Sequence, residues 1–376
     1  RHLLAGLAGG LVSALAARSA GAQSQSLELQ AVSDSIALQP GKPSPVWRLS
    51  APTPVLRTRR GATLDLTITS RLPVPCGLGL RGPFPVPQME PMASLGLDTA
   101  NRVSLPMRRA GTGYLNLQPL TDKEVAPARP LPLIIDEAEP PNVDRDEVFL
   151  IEDWRVRPDG TALAPGVDLK DAAILYTVNG QSLPELAVRG HERLRLRFIN
   201  GCQRAVVAVK IADVDVRVMA IDSQPAEPFP ARNGAVILPP GGRADVFIDV
   251  PDSAKAPLPV LLHDGADARP IARLMPIEGP PVRPNPVPPA PPLPSNGLPD
   301  RLDLKGALRT ELPLDGPDWV APAEFATSSR PALQAKTGRC VVLALANRAS
   351  VATVLHLHGH HVRLLDRLDD GWKPYW

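Results

Sequence analysis

The sequence predicts an all-β chain of three consecutive β-sandwich domains. Three observations carry this. Segments that alternate apolar and polar residues are many, while helical periods are few. Proline is abundant, 46 of 376 residues; it is excluded from helix interiors and central strands, which favours short strands joined by stiff loops. A phrase made of a turn glycine, a strand and a closing Asn or Ser occurs three times, at a spacing of roughly 130–150 residues, the size of one domain.

The chain starts with an uncharged apolar stretch, Leu3 to Ala17, between Arg1 and Arg18. It is shorter than the ~20 residues a membrane span requires. Ala20-Gly21-Ala22 supplies a small-x-small cleavage pattern. Residues 1–22 therefore read as an export signal, and one preceding Arg would complete a twin-arginine signal. An uncleaved anchor is the alternative. The expectation is a periplasmic or otherwise exported bacterial protein with no membrane span after cleavage.

Thr63 to Thr69 alternates strictly, as a half-buried strand does. So does Arg193 to Phe198. Asp213 to Met219 alternates too, with Val at 214, 216 and 218. Arg339 to Leu345 is a more continuous apolar run, suited to a buried strand. The repeated phrase is Arg60-Gly61 before a strand running toward Ser70, Arg189-Gly190 before one ending at Asn200, and Thr337-Gly338 before one ending at Asn347. A Pro- and acid-rich loop near Glu137–Asp144 marks the first boundary. Residues 276–299, dominated by proline, predict an extended semi-rigid linker over the surface. The domains are thus expected at 27–143, 144–275 and 300–376. The third is shorter than the about 100 residues of an Ig-type sandwich, so an incomplete third domain is expected.

Hydrophobic residues make up 44%, enough for packed cores, and the net charge is +2. No basic block interleaved with aromatics is present, so nucleic acid is not an expected partner. Three cysteines, Cys76, Cys202 and Cys340, form no CxxC pair; one disulfide is possible, and spacing does not choose it. No Ser-His-Asp or P-loop pattern stands out, and no catalytic residue is assigned. Trp154 reads as a packing anchor, a partner surface being the alternative. Met89 and Met92 are too few to suggest copper handling and read as core or loop filling.

The sharpest chemical feature is Leu355-His-Leu-His-Gly-His-His361. On a strand, residues i and i+2 point to one face, so His356 and His358 would aim two imidazoles at one place. Imidazole suits copper; a chance histidine cluster at a strand end is the alternative. His191 and His263 read as surface or loop residues. His360 and His361 read as neighbours of the ligand positions.

His356-Leu-His-Gly-His360 resembles the third-domain signature of the multicopper oxidases, the laccase-like enzymes built of cupredoxin domains. Tyr176-Thr-Val-Asn-Gly180, Leu194 to Asn200, Ala220 to Pro225 and Leu238-Pro-Pro-Gly-Gly-Arg-Ala-Asp245 resemble middle-domain phrases, in the expected order. Ala110-Gly-Thr112 resembles the phrase before the second ligand pair of domain one. The resemblance implies cupredoxin-like Greek-key sandwiches. It also implies a type 1 copper that takes electrons from a substrate, and a three-copper cluster, held by four His-x-His pairs, that reduces dioxygen.

The chain departs from that pattern. The first pair of domain one falls on Gly79 and Arg81, the second on Asn116 and Gln118, and a type 1 ligand position falls on Thr353. Only His356 and His358 occupy ligand positions, which makes a full trinuclear cluster an unfavoured cofactor and leaves copper possible. Three functions follow as expectations. The first is a non-catalytic binding or scaffold relative, with an envelope protein as partner. The second is a copper-binding oxidoreductase with an altered centre, acting on phenols or metal ions with dioxygen. The third is a reduced metal site at His356 and His358 for storage or delivery.

Overall fold

A computed structural model describes residues 24–84, 93–96, 98–121, 123–167, 169–203, 205–314, 331, 333–348, 355, 357 and 360–365. The expected export signal, residues 1–22, lies outside them. Among the described residues there is no α-helix, only a 3-10 turn at Arg232–Gly234, and no helix is long and apolar enough to cross a membrane.

Ten strands build the first sandwich: β1 (Ser24–Gln39), β2 (Lys42–Ser50), β3 (Leu56–Arg59), β4 (Thr63–Ser70), β5 (Cys76–Arg81), β6 (Ala93–Leu95), β7 (Ala100–Pro106), β8 (Gly111–Pro119), β9 (Ala128–Arg129) and β10 (Leu131–Asp136). They form two five-stranded sheets, ordered β7-β4-β1-β2-β9 and β3-β10-β8-β5-β6. The expected alternation in β4 is realised: Leu64, Leu66 and Ile68 are buried between the sheets with Leu29, Leu115 and Leu133.

The second sandwich follows with β11 (Arg145–Val156), β12 (Ala173–Val178), β13 (Glu185–Val188), β14 (Arg193–Asn200), β15 (Val207–Ile211), β16 (Arg217–Ile221), β17 (Gln224–Pro230), β18 (Ala235–Leu238), β19 (Arg243–Asp249), β20 (Leu258–His263) and β21 (Ala268–Pro276). Its sheets are ordered β12-β11-β14-β19-β16-β17 and β13-β21-β20-β15-β18. Leu194, Leu196, Phe198, Val246 and Leu262 belong to its core. The strand expected over 213–219 begins only at Arg217; Asp213 takes a positive φ of 58°, which turns the chain before the alternation can extend.

The repeated phrase has a structural meaning. The strand after each turn glycine pairs in parallel with the first strand of its own unit: β4 with β1, β14 with β11, and β23 (Val341–Asn347) with β22 (Leu308–Leu314). Each ladder closes at the Asn or Ser, opposite Ala31, Ile151 and Leu314. The next residue then returns a backbone hydrogen bond, from Arg71 N to Ala31 O, Gly201 N to Ile151 O and Arg348 N to Leu314 O. Asn200 shows why an amide suits this place. Its Nδ2 donates to the Ala205 and Leu238 carbonyls while its Oδ1 accepts from Cys202 N, folding the exit loop back.

Two sequence expectations are corrected. The strand Arg193–Phe198 is not half-buried: all of β14 is buried, its arginines included, because its polar face is covered by the first sandwich and its exit at Arg195 and Arg197 and by the proline-dominated segment at Arg193. The apolar run Arg339–Leu345 is not a buried strand. None of β23 is buried, since among the described residues it pairs only with β22 and no second layer covers that two-stranded sheet.

Apolar and polar contacts join the two sandwiches. Ile36, Leu38 and Val46 pack with Trp154, Val156 and Ala162. Trp154 is 3% exposed, and its indole N–H donates to Thr177 Oγ1 at 2.8 Å, which makes it the packing anchor its sequence context predicts. The proline-dominated segment after β21 carries no strand and lies along the second sandwich. Val282 N donates to Gly190 O, and Arg193 Nη2 to Pro288 O at 2.9 Å. Asn296, 6% exposed, donates to the Ala110 and Ser223 carbonyls and accepts from Ala110 N, each at 2.9 Å. The segment is therefore a strap across both sandwiches. All three cysteines are free; Cys76 and Cys202 are buried in different sandwiches.

Candidate functional site

Strands β5 and β8 lie side by side and antiparallel, with Gly79 opposite Asn116, Arg81 opposite Tyr114 and Gly77 opposite Gln118. The intervening Leu78, Leu115 and Leu117 are in the first core. Alternation therefore turns Gly79, Arg81, Tyr114, Asn116 and Gln118 to the opposite face. The four positions that the resemblance assigns to histidine pairs thus converge on one patch.

The patch has its own chemistry. Asn116 Oδ1 lies 2.1 Å from where a Cβ on Gly79 would be, so its amide fills the space a larger side chain at 79 would need. That oxygen is buried and has no hydrogen-bond partner. Burial lowers the Arg81 pKa and nearby Arg243 lowers it further, while Tyr114 opposes them. Tyr114, 6% exposed, packs against Ile134, Val148, Leu150 and Ile199. Burial raises its pKa; the charges of Arg81 and Arg243 act against this.

These residues do not fit copper. Gly79 offers no donor, and the Asn116 and Gln118 amides are poor substitutes for imidazole. Arg81 adds a fixed cation; at ~4 Å it repels a divalent ion by about 8 kcal/mol at an effective dielectric of 20, as an upper figure.

His356 and His358 lie outside the described residues, as do Thr353, Met89 and Met92. Among the described residues no three His, Cys, Asp or Glu side chains gather as a metal-binding group. Partial desolvation, and then Arg109, lower the pKa of His361. His191 and His263 sit in loop contacts: His191 Nδ1 lies 2.8 Å from Arg283 O, and His263 Nδ1 accepts from Gly265 N at 3.0 Å.

Beside the patch is a buried ionic joint. Arg195, Arg197 and Asp245 are 1%, 0% and 1% exposed. Arg195 holds Glu137 through two hydrogen bonds of 2.9 Å and reaches Asp245 Oδ2 at 2.5 Å. Arg197 holds Asp146 through two of 2.7 Å and reaches Asp245 Oδ2 at 3.1 Å and Thr112 Oγ1 at 2.9 Å. The Thr112 hydroxyl donates to Asp245 Oδ1 at 2.6 Å. Arg243 Nε and Ser223 Oγ both donate to the Thr112 carbonyl. Gly111 has φ +141°, and a Cβ there would meet Ser223 at 2.6 Å, so only glycine permits this approach. Four of the family-like phrases, around Thr112, Arg195–Arg197, Ser223 and Arg243–Asp245, thus meet in one place. Burying such charges is costly unless they are partnered; here each carboxylate accepts at least two hydrogen bonds, while Arg195 Nε is buried without a partner. The sequence patterns did not single out Tyr114, Glu137, Asp146 or Asn296; an available signal was the recurrence of charge inside otherwise apolar strands.

The architecture is that of tandem cupredoxin-type β-sandwiches. No protein-family model matches the sequence, and no curated protein matches it. Solved structures do. A multicopper oxidase from Pseudomonas thermotolerans is 23% identical over 78% of this chain and 72% of that one, with a TM-score of 0.65. One from Pseudomonas parafulva is 22% identical over 86% and 82%, with a TM-score of 0.68. Lac15, from a marine microbial metagenome, is 25% identical over 78% and 77%, with a TM-score of 0.60. The chain is a structural relative of the multicopper oxidases and shares their all-β cupredoxin fold.

Proposed function

We propose that this chain is a non-catalytic, copper-free relative of the multicopper oxidases, serving as a binding or scaffold module in the bacterial envelope. The observation that carries the reading is the β5/β8 face, where Asn116 fills the space over Gly79 and Arg81 lies opposite Tyr114. A trinuclear cluster requires imidazoles from both pairs of this face, and the residues present supply none. The joint and the strap, built of protein groups alone, hold the two sandwiches together, so this reading asks no metal to support the fold. The apolar Leu3–Ala17 stretch and the Ala20-Gly21-Ala22 pattern support export to the periplasm. An envelope protein is the partner this reading implies.

The second reading is a copper-binding oxidoreductase with an altered centre, or a smaller storage or delivery site. His356 and His358 favour it as the remaining imidazole pair. Metal analysis of the full chain purified from the periplasm, with oxygen uptake on phenolic donors, decides. The expected result is copper well below one ion per chain and no uptake. Stoichiometric copper with turnover would falsify the copper-free reading.

A further inference from the structure

We propose that the β5/β8 patch is a binding site for a small oxyanionic group, a phosphate or a carboxylate, received by the Arg81 guanidinium and the Tyr114 hydroxyl with Arg243 beside them. Arg81 and Tyr114 are cross-strand partners, so their side chains share a face. Among the described residues no carboxylate pairs with the part-buried Arg81 and no hydrogen bond is made by its guanidinium. The second observation is independent. Tyr114 is 6% exposed, and among the described residues its hydroxyl makes no hydrogen bond; the oxygen itself still reaches solvent, which leaves it open to an incoming acceptor.

Its place in the fold supplies the rest. The Tyr114 hydroxyl lies 2.9 Å from where a Cβ on Gly241 would be, which sets it against the turn leading into Arg243. Arg243 is held there by Nη1 on Gly241 O at 2.7 Å and Nε on Thr112 O at 2.9 Å. Asp222, half-exposed at 3.5 Å from Arg243, offsets part of that one charge and none is assigned to Arg81. The result is a phenol donor beside a cation that has no counter-charge among the described residues, under partial desolvation, which strengthens electrostatic recognition. A guanidinium binds planar carboxylate or tetrahedral phosphate through paired N–H donors.

The inference rests on the reading that this face holds no copper, and its test is separate. The full chain, with metal content measured on the same sample, is titrated calorimetrically with inorganic phosphate and, separately, with acetate. Saturable one-site binding of either is expected, the stronger one naming the ligand class. Arg81→Met keeps the stem and removes the charge; it should weaken binding about tenfold or more, the range of hydrogen bonds to charged groups. Tyr114→Phe deletes only the hydroxyl and should weaken it several-fold. No saturable binding of either anion to copper-free protein overturns this proposal alone. Undiminished binding in Arg81→Met also overturns it, and if that variant does not fold, undiminished binding in Tyr114→Phe does so. Stoichiometric copper overturns the reading on which it rests.

Discussion

Replacing Asp245 with Asn probes the ionic joint at its centre. Asp245 accepts from Arg195 at 2.5 Å, Arg197 at 3.1 Å and Thr112 at 2.6 Å, fully shielded from water. An Asn oxygen can still accept from Thr112. Its amide N–H2 then faces the two guanidiniums, donor against donor, where a carboxylate oxygen was. Two charge-assisted bonds are lost, each worth about 1.5–3 kcal/mol. Both arginines keep a bidentate partner in Glu137 or Asp146, so the loss should sit near the 3–5 kcal/mol typical of a broken buried pair, not above it. Urea unfolding followed by circular dichroism measures it. The pH dependence is a second readout. Burial pushes the Asp245 pKa up, but Arg195, Arg197 and the Thr112 hydrogen bond outweigh it, and the net shift is below the ordinary 3.8. A depressed carboxylate contributes stability that is complete above its unfolded value and lost as pH falls through the folded one. Wild type should therefore lose stability below about pH 4, and Asp245→Asn should show a shallower acid limb. A destabilisation under about 1 kcal/mol with an unchanged acid limb would refute the assignment of this cluster as the joint.

Two further outcomes are expected. Asn296→Ala removes three buried hydrogen bonds between strap and sandwiches and leaves the Ala110 N–H and carbonyl unsatisfied; it should cost about 1–3 kcal/mol and speed thermolysin cleavage near Leu293. Cys76, its thiol pushed up to about 11 by burial, and Cys202, also pushed up by burial, should resist a thiol reagent in the native protein, while half-buried Cys340 reacts first; rapid labelling of all three would contradict the native burial.

Much of the fold was legible because sandwich strands write their burial in a two-residue period. Thr63–Thr69 is such a case, and β4 follows it. Arg193–Phe198 carries the same period and misleads, because alternation reports two unlike faces without saying what covers the polar one. Here the first sandwich covers Arg197, its exit at Glu137 covers Arg195, and the proline segment covers Arg193, so three arginines that read as a solvent face are buried. The turn glycine and closing Asn or Ser were legible as a repeat; that they frame parallel ladders depended on pairing across distant segments. The ligand positions on Gly79, Arg81, Asn116 and Gln118 were located by resemblance, and the ladder places them together. Tyr114 was not, since nothing local distinguishes a core tyrosine from one whose hydroxyl lacks a partner.

The meeting of Thr112, Arg195–Arg197, Ser223 and Arg243–Asp245 at one seam bears on how this chain can change over evolutionary time. Selection on the seam is selection for alignment of two sandwiches, and it continues whether or not a metal is held nearby. Gly79, Asn116 and Gln118 are under no such obligation: they lie on the same face as Thr112 and Tyr114 but make none of the seam's hydrogen bonds. Exchange of side chains at those positions therefore leaves the frame standing, and the chemistry of the face can change without passing through an unfolded ancestor.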